Sequence, residues 1–398
     1  MDPDFLVGQR IRDHRQQRGR SQAVVAGLCG ITEDYLSRIE RGVKTPTLHV
    51  LIKISRELRV PVAVLVGDTS PAEPPPSSTP PMAKEVTQAL LVSSAVTTSA
   101  PAPAALRKRV NAAWSIWQRS PRRFTEAAVV LPSLIADTEA ALRTSYTEAE
   151  CGALREAQRC AADLYFLLRS YCRRAGRTDL SLLVADRGRK AAEAADDPIR
   201  IAAATWNLGH ILLGTDEPEE AADVVLRGLG QLGEPRTVEA TAMAGALELV
   251  GVVAESRLGL RWEARERLQS KAGQHADRVG DGNIMRTVFG PTNVALHAMS
   301  LDMEAGESTE ALHLADTVDT DLLPLERQFT FLLEVARCHD LRKEDAAVLV
   351  RLLDLETLAP EDLARSPLGI QMVKDLRRRV RPTYRKQVSD LAERVGID

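Results

Sequence analysis

From Leu106 to the end of the sequence, helix-length segments follow one another with hardly a strand signal among them. Apolar residues recur at helical spacing over 106–118, 122–143, 147–174, 179–195, 199–213, 219–232, 237–257, 261–279, 285–305, 308–317, 325–340, 344–354, 360–377 and 382–395, the pattern that lines one face of a helix. Between them stand Gly176, Asp197-Pro198, Gly214-Thr215, Gly233-Glu234-Pro235, Gly259, Gly280–Gly282, Gly306 and Pro360, residues that end helices. Such a series buries its faces most simply if each helix folds back on its predecessor and the pairs stack. The sequence therefore predicts an all-α chain.

Paired helices of this length suggest a repeat. Trp206-Asn207-Leu208-Gly209, followed by Glu220-Ala221-Ala222, resembles the tetratricopeptide (TPR) unit. Leu208, Gly209 and Leu212 match its first helix, and Ala221, Val225 and Gly228 its second. A small residue opening a second helix recurs at Ala264, Ala311 and Ala346, at spacings of 43, 47 and 35 residues. Small residues belong where paired helices cross closely. The resemblance implies a TPR-like right-handed α-solenoid whose concave face comes from the first helix of each pair. On the 199–213 helix that face includes Trp206 and His210; on the 285–305 helix, Arg286, Asn293 and His297 fall near one line. Pro291 should start or kink that helix. An asparagine amide offers donor and acceptor together, which suits a peptide backbone. The same Asn and His side chains also suit bonding across a helix pair.

Nearer the start, Ser21–Gly42 holds two short helical patterns, Gln22–Leu28 and Glu33–Arg41, around a turn at Gly30. A glycine is free to take the positive φ such a turn needs, and the Thr32 hydroxyl is placed to cap the second pattern. Val25, Ala26, Ile31, Leu36 and Ile39 would point inward together. This is a helix-turn-helix, whose second helix enters the major groove of duplex DNA. Residues 7–66 resemble the phage-repressor (XRE, or Cro/C1) type of DNA-binding domain through Arg15, Ser21-Gln22, Val25-Ala26, Gly30, the run Tyr35–Gly42, and Pro46; His14 and Arg20 depart from its pattern, standing where an apolar residue is usual. The resemblance implies a five-helix lambda-repressor-like head. Its first helix runs over Phe5–Arg18 with Val7 and Ile11 inward, its fourth over Thr47–Leu58 with Leu48, Leu51, Ile54 and Leu58 at helical spacing, and its fifth over Pro61–Val66. It also implies a buried ion pair between Arg15 and Glu40. Glu33, Asp34, Ser37 and Arg38 are expected to face the groove of double-stranded DNA, with Tyr35 at the flank and Gln22 on a phosphate. Arg41 and Lys44 are phosphate candidates. An arginine can span O6 and N7 of guanine, and a carboxylate can accept from cytosine N4. Acids in a first helical turn also simply suit the helix dipole.

These patterns divide the chain into residues 1–67, the head; 68–105, a linker carrying the proline-rich run 69–81; and 106–398, the solenoid. Within the linker, Ala83–Val96 reads as a helix packing on a partner subunit or as a spacer. The whole chain carries a formal net charge of −3, but residues 1–67 sum to +4 and the rest to −7. A basic head on an acidic body suits a DNA reader, and so few net charges call for a homodimer to reach useful affinity. The five cysteines form no C-x-x-C pair, so neither metal nor cofactor is expected. The longest uncharged run, Val86–Leu106, is broken by Pro, Ser and Thr and cannot span a membrane. No signal peptide is recognised, and the expected location is the cytoplasm. Gly228–Gly233 spells GxGxxG but ends a helix instead of following a strand, and the arginines of 377–381 read as a solvated face.

Head and solenoid together resemble the bacterial XRE–TPR regulators best known from actinobacteria, and FGPTNVALH at 289–297 is similar to a recurring segment of that group. More distantly they resemble regulators that sense secreted peptides through a TPR groove. The resemblance implies a sequence-specific transcriptional regulator that binds a two-fold site as a homodimer and responds to a peptide, small molecule or protein. The rival reading is a protein-interaction scaffold with a vestigial head. With no Walker A, HExxH or GxSxG motif, an enzyme is not expected.

Overall fold

The computed structural model describes residues 3–17, 20–58, 60, 62–66, 80–92, 101–144 and 151–397. Among these, all regular secondary structure is helical, and the chain divides into two compact units, 1–77 and 78–398.

The first unit contains α1 (Pro3–Gln17), α2 (Gln22–Cys29), α3 (Glu33–Glu40), α4 (Leu48–Leu58) and α5 (Val62–Val66). Local chemistry sets these boundaries. The Ser21 hydroxyl accepts from the Val24 N–H at 3.3 Å and the Thr32 hydroxyl from the Tyr35 N–H at 3.2 Å, satisfying helix-start donors that lack an intrahelical acceptor. Gly30 ends α2 at φ 67°. Ile11, Val25, Ala26, Leu36, Ile39, Ile54 and Leu58 form the core, with Val7 and Ile31 packed partly buried against it. Leu48 is not part of it. It stands 68 % exposed at the first turn of α4, because the buried seam of that helix runs through Leu51, Ile54, Ser55 and Leu58. Gly8 sits where α1 crosses the end of α3, and a Cβ there would collide with the Ile39 carbonyl oxygen. Gly8→Ala should therefore destabilise the head by about 1–3 kcal/mol, read as an earlier first transition in thermal melting of the full chain. An unchanged transition would show that α1 can back away.

The linker run 69–81 lies outside the described residues except for Pro80 and Pro81. The second unit then begins with α6 (Lys84–Leu91) and α7 (Pro103–Arg119). The helix expected within 83–96 forms as α6, but neither on a partner subunit nor as a spacer: it buries Val86 and Leu90 in the core of its own unit, against α8 (Arg123–Arg143). Pro103 opens α7 three residues before the expected start, in the first turn where its missing N–H costs nothing. The array continues with α9 (Cys151–Arg174), α10 (Thr178–Ala194), α11 (Pro198–Gly214), α12 (Pro218–Leu232), α13 (Val238–Arg257), α14 (Arg261–Arg267) and α15 (Gln274–Val279). It ends with α16 (Pro291–Glu304), α17 (Ser308–Ala315), α18 (Leu325–Leu341), α19 (Asp345–Leu358), α20 (Pro360–Leu363), α21 (Pro367–Arg379) and α22 (Arg385–Arg394). From α9 to α14 and again from α16 to α20 each helix packs on the next, and α9 on α11, α11 on α13 and α16 on α18 pack as second neighbours. This is the order of contacts of a TPR-like array. Small residues set the crossings: a Cβ at Gly209 would meet Val250 at 2.8 Å, and one at Gly228 would meet Thr205 at 2.6 Å. Ala221, Ala264 and Ala311 are fully buried, but Ala346 is exposed and Val348 and Leu349 are buried in its stead. The last expected repeat is thus out of register. α13 is the most enclosed helix of this series, with fourteen of its twenty residues buried.

Several of the described stretches depart from regular helix, among them a 3₁₀ turn at Pro382–Tyr384 ahead of α22. A π-helical segment, Leu268–Gly273, joins α14 to α15. The expected 285–305 helix begins only at Pro291; before it lie a 3₁₀ turn, Ile284–Arg286, and an irregular passage to Gly290. The expected 360–377 helix is broken between α20 and α21, where the Ser366 hydroxyl caps the Gly369 N–H at 3.1 Å and Pro367 starts the new helix.

The repeat pattern did not foretell how the unit's first hairpin meets its last helices. Arg123, wholly buried at the start of α8, donates to both oxygens of Asp362 in α20, to Glu326 of α18 at 3.3 Å and to the Trp117 carbonyl at 3.2 Å. Its guanidinium lies 4.4 Å over the Trp117 ring. Beside it, the Phe124 and Thr125 N–H groups donate to the Glu361 carboxylate at 2.8 and 3.3 Å, so an anion from α20 caps α8.

A candidate nucleic-acid interface and a candidate ligand cavity

In the head, α3 is held from behind by an ion pair in the core. Arg15 Nε donates to Glu40 Oε1 at 2.6 Å and Nη2 to Oε2 at 2.8 Å, with the two residues 8 % and 4 % exposed. Arg15 also donates to the Arg20 carbonyl at 2.7 Å. The Gln22 amide, expected on a phosphate, donates instead to Glu40 Oε2 at 2.7 Å. Arg20 departs from the family pattern because it is fixed by an ion pair with Glu57 of α4. On the outer side of α3, Glu33, Asp34 and Arg38 are exposed, while Ser37 and Tyr35 are half-buried. Arg38 Nε lies 3.0 Å from Asp34 Oδ2, one helical turn back. Arg41 donates to the Ser37 carbonyl at 3.3 Å, and Lys44 is exposed past the helix end. The surface thus presents one arginine fork, two acids and two flanking cations.

In the second unit, a cavity of about 210 Å³ is walled by α7, α9, α11, α13, α16 and α18. Trp206, His210, Arg286, Asn293 and His297 all line it. Arg286 arrives from the 3₁₀ turn and not from the helix of Asn293 and His297. Asn293 Oδ1 accepts from Arg327 Nε at 2.6 Å, and His297 Nδ1 lies 3.2 Å from Arg327 Nη2 and 2.9 Å from the Asn293 carbonyl. Both residues therefore bond across the α16–α18 pair while facing the cavity. The sequence reading missed the arginines opposite. Arg169, Arg173 and Arg174 come from the end of α9 and Arg327 from α18. The run Arg169, Arg173-Arg174 at one-turn spacing on an otherwise buried helix was the signal available.

Arg169 Nε donates to Asn207 Oδ1 at 2.6 Å and its guanidinium lies 5.5 Å over Trp206, whose ring meets His210 edge-on at 4.4 Å. Burial, with Arg173 beside it, lowers Arg169 to about 9; burial, with Arg174 beside it, lowers Arg173 to about 10. Against the effect of burial, Arg174 and Arg123 hold the Glu326 carboxyl below the usual carboxylate range. The wall at Met285, Arg286 and Val288 takes φ of 49°, 64° and 56°, a conformation that costs a β-branched residue strain. It is pinned by Phe289, whose ring fills the place a Cβ of Gly245 would occupy, and by Asp281, which accepts from the Thr292 N–H at 3.0 Å.

Burial and then Arg327 hold the His297 imidazole down to about 3, and burial and then Arg169 hold His210 well below its ordinary value. In the unfolded chain a histidine titrates near 6.5. Below that pH the unfolded state takes up a proton that the folded state refuses. Stability should thus fall as pH drops from about 6.5 toward 3, by roughly 2 kcal/mol per such histidine at pH 5. Urea unfolding at pH 7 and pH 5 checks this: His297→Gln should lose less between the two than the unaltered chain, and an equal loss would refute it.

Burial pushes the Cys160 and Cys172 thiols up to about 12, which leaves them poor nucleophiles. Among the described residues, no group of His, Cys, Asp and Glu is placed to hold a metal, and no helix is long and apolar enough to cross a membrane. The GxGxxG run lies within and just beyond α12, and Arg379 pairs with Asp340 and Asp345.

With this geometry in place, the chain's relatives fall into one class. Residues 11–65 match the helix-turn-helix family HTH_3. The uncharacterized HTH-type transcriptional regulator y4dJ of Sinorhizobium fredii is 35 % identical over 69 residues, 17 % of this chain and 90 % of that protein. Through its head the chain belongs to the helix-turn-helix family of HTH-type regulators. The HTH-type transcriptional regulator SinR of Bacillus subtilis is 36 % identical over 69 residues, 17 % of this chain, which spans 62 % of SinR's length. Among solved structures, Bacillus thuringiensis PlcR in complex with the peptide PapR7 and DNA aligns over 89 % of this chain and 99 % of that one, at 12 % identity and a TM-score of 0.34. That is too loose a likeness to define a common fold.

Proposed function

We propose that the chain is a cytoplasmic, sequence-specific DNA-binding regulator of transcription. It reads a two-fold site as a homodimer, and its second unit binds an effector. The observation that carries this reading is the solvent-facing side of α3, held against the head's core by the buried Arg15–Glu40 pair. Arg38 reads a guanine, displacing Asp34; Arg41 and Lys44 hold phosphates; Ser37, Tyr35, Glu33 and Gln22 border the contact. Half-sites of a dimer would lie about 34 Å apart, or a multiple of that. A ligand preferring one arrangement of the second unit alters DNA affinity, and operator DNA must then alter ligand affinity by the same factor.

Gel-shift titration of the full chain on its own upstream region and on genomic fragments tests the reading. Arg38→Ala should weaken the specific complex by about 1–3 kcal/mol and relax selectivity at one base pair. Lys44→Ala should weaken all duplexes alike and flatten the salt dependence. Absence of selective binding to any fragment would leave the rival reading, a scaffold whose head no longer binds DNA. The observation favouring that rival is the Asp34–Arg38 pair, which occupies the arginine fork.

A further inference from the structure

We propose that the cavity between α9, α11, α13 and α18 binds a small organic anion, its oxyanion on Arg169 and Arg173 and its apolar part against Trp206, Leu249 and Val250. The site's charges point to this. Arg123 and Arg174 are balanced by Glu326 and Asp362, with Arg174 Nη2 2.6 Å from Glu326 and Nη1 3.7 Å from Asp362. Arg327 is held by Asn293 and His297 and feels the charge of Glu334. Arg286 bonds Asn111 at 3.3 Å and lies 5.8 Å over Trp114. Arg169 and Arg173 remain. Among the described residues neither has a carboxylate within ion-pair distance; Arg169 is 5 % exposed, and Arg173 Nε is buried without a hydrogen-bond partner. They stand one helical turn apart and repel each other. Glu326 attracts both from beyond contact distance, but enclosed charges without a contacting counter-charge are costly to a fold, and an anion relieves them.

Size and lining narrow the class. A volume of about 210 Å³ lies below the range of drug-sized sites. The enclosed space favours a compact ligand over a peptide of several residues. Ala246, Leu249, Val250 and the Trp206 ring give an apolar wall beside the cations, which suits a planar or aromatic body carrying a carboxylate or phosphate, both of which fit an arginine fork. The inference rests on the effector role proposed for this unit, but binding is measured without DNA.

Benzoate and phenyl phosphate, with benzyl alcohol as the uncharged analogue, are the probes for calorimetry and thermal melting of the full chain. One or both anions should bind once per chain and raise the second unit's melting temperature with concentration, while benzyl alcohol does not; which anion does so separates carboxylate from phosphate. Arg173→Met should raise the melting temperature of the ligand-free protein and weaken anion binding at least tenfold. Trp206→Leu should weaken both aromatic anions and leave inorganic phosphate unaffected. If neither anion shifts melting at 10 mM, the inference is overturned. So too if Arg173→Met lowers ligand-free stability and leaves the anion response intact. Should that variant not fold, the dose response of the unaltered chain decides. Anion binding without operator binding keeps this inference and removes the regulator; operator binding without anion binding does the reverse.

Discussion

Arg123→Ala should unfold the second unit or bring it close to unfolding, at a cost of about 3–5 kcal/mol. The substitution deletes no surface contact. It strands two enclosed carboxylates, Asp362 at 3 % exposure and the half-buried Glu326, and empties a slot lined by Trp117 and Phe124. Arg174 remains as a partial counter-charge to both acids, which places the loss nearer 3 than 5 kcal/mol if its side chain can recentre. Because Arg123 joins α8 to α18 and α20, the loss should appear in one cooperative transition for the whole unit and not as melting of its first hairpin alone. Urea unfolding followed by circular dichroism measures it. A midpoint within experimental error of the unaltered chain would show that the join contributes nothing. Arg123→Met with Asp362→Leu removes the closest pair together, leaves Glu326 on Arg174, and should recover much of the stability, since well-packed apolar groups can replace a buried ion pair.

Arg15→Ala should unfold the head or leave it close to unfolding. A unit of this size has a stability of roughly 3–9 kcal/mol, and leaving Glu40 buried costs about 3–5 kcal/mol of it. Gln22 still donates to Glu40, but a neutral amide does not balance a carboxylate. DNA binding should disappear with the fold, while the second unit's transition is unmoved. Unchanged melting together with unchanged DNA affinity would refute both the structural and the functional reading of the pair. Arg15→Met with Glu40→Leu separates the two roles. It should refold the head, release the Gln22 amide and keep part of the DNA affinity.

The head was readable from sequence because its signals are local. Ser21, Gly30 and Thr32 fix three helix boundaries within a dozen residues, and Val25, Leu36 and Ile39 announce the core by spacing alone. Leu48 misled because its i, i+3 spacing to Leu51 says nothing about where a seam begins. In the second unit, Gly and Pro breaks marked most helix ends. They could not reveal Met285, Arg286 and Val288 in left-handed conformation, since nothing in those side chains asks for it. Trp206, His210, Asn293 and His297 were legible as facing residues because each lies on the first helix of a pair. Arg169, Arg173 and Arg327 were not, because an arginine on a long helix usually reaches solvent. Only the packing of α9 and α18 among their neighbours turns them inward. The Arg123–Asp362 join spans 239 residues and has no local signature at all.

α13 is enclosed on nearly its whole circumference, and Ala246, Leu249 and Val250 on it wall the cavity. Its amides should be the last of the second unit to exchange with deuterated solvent, since opening them requires parting several neighbouring helices at once. Substitutions that enlarge its alanines and glycines should be purged wherever they arise, while the exposed turns between outer helices drift freely. An anion bound in the cavity as proposed would find no pliable surface on this helix; what it could move is the rim.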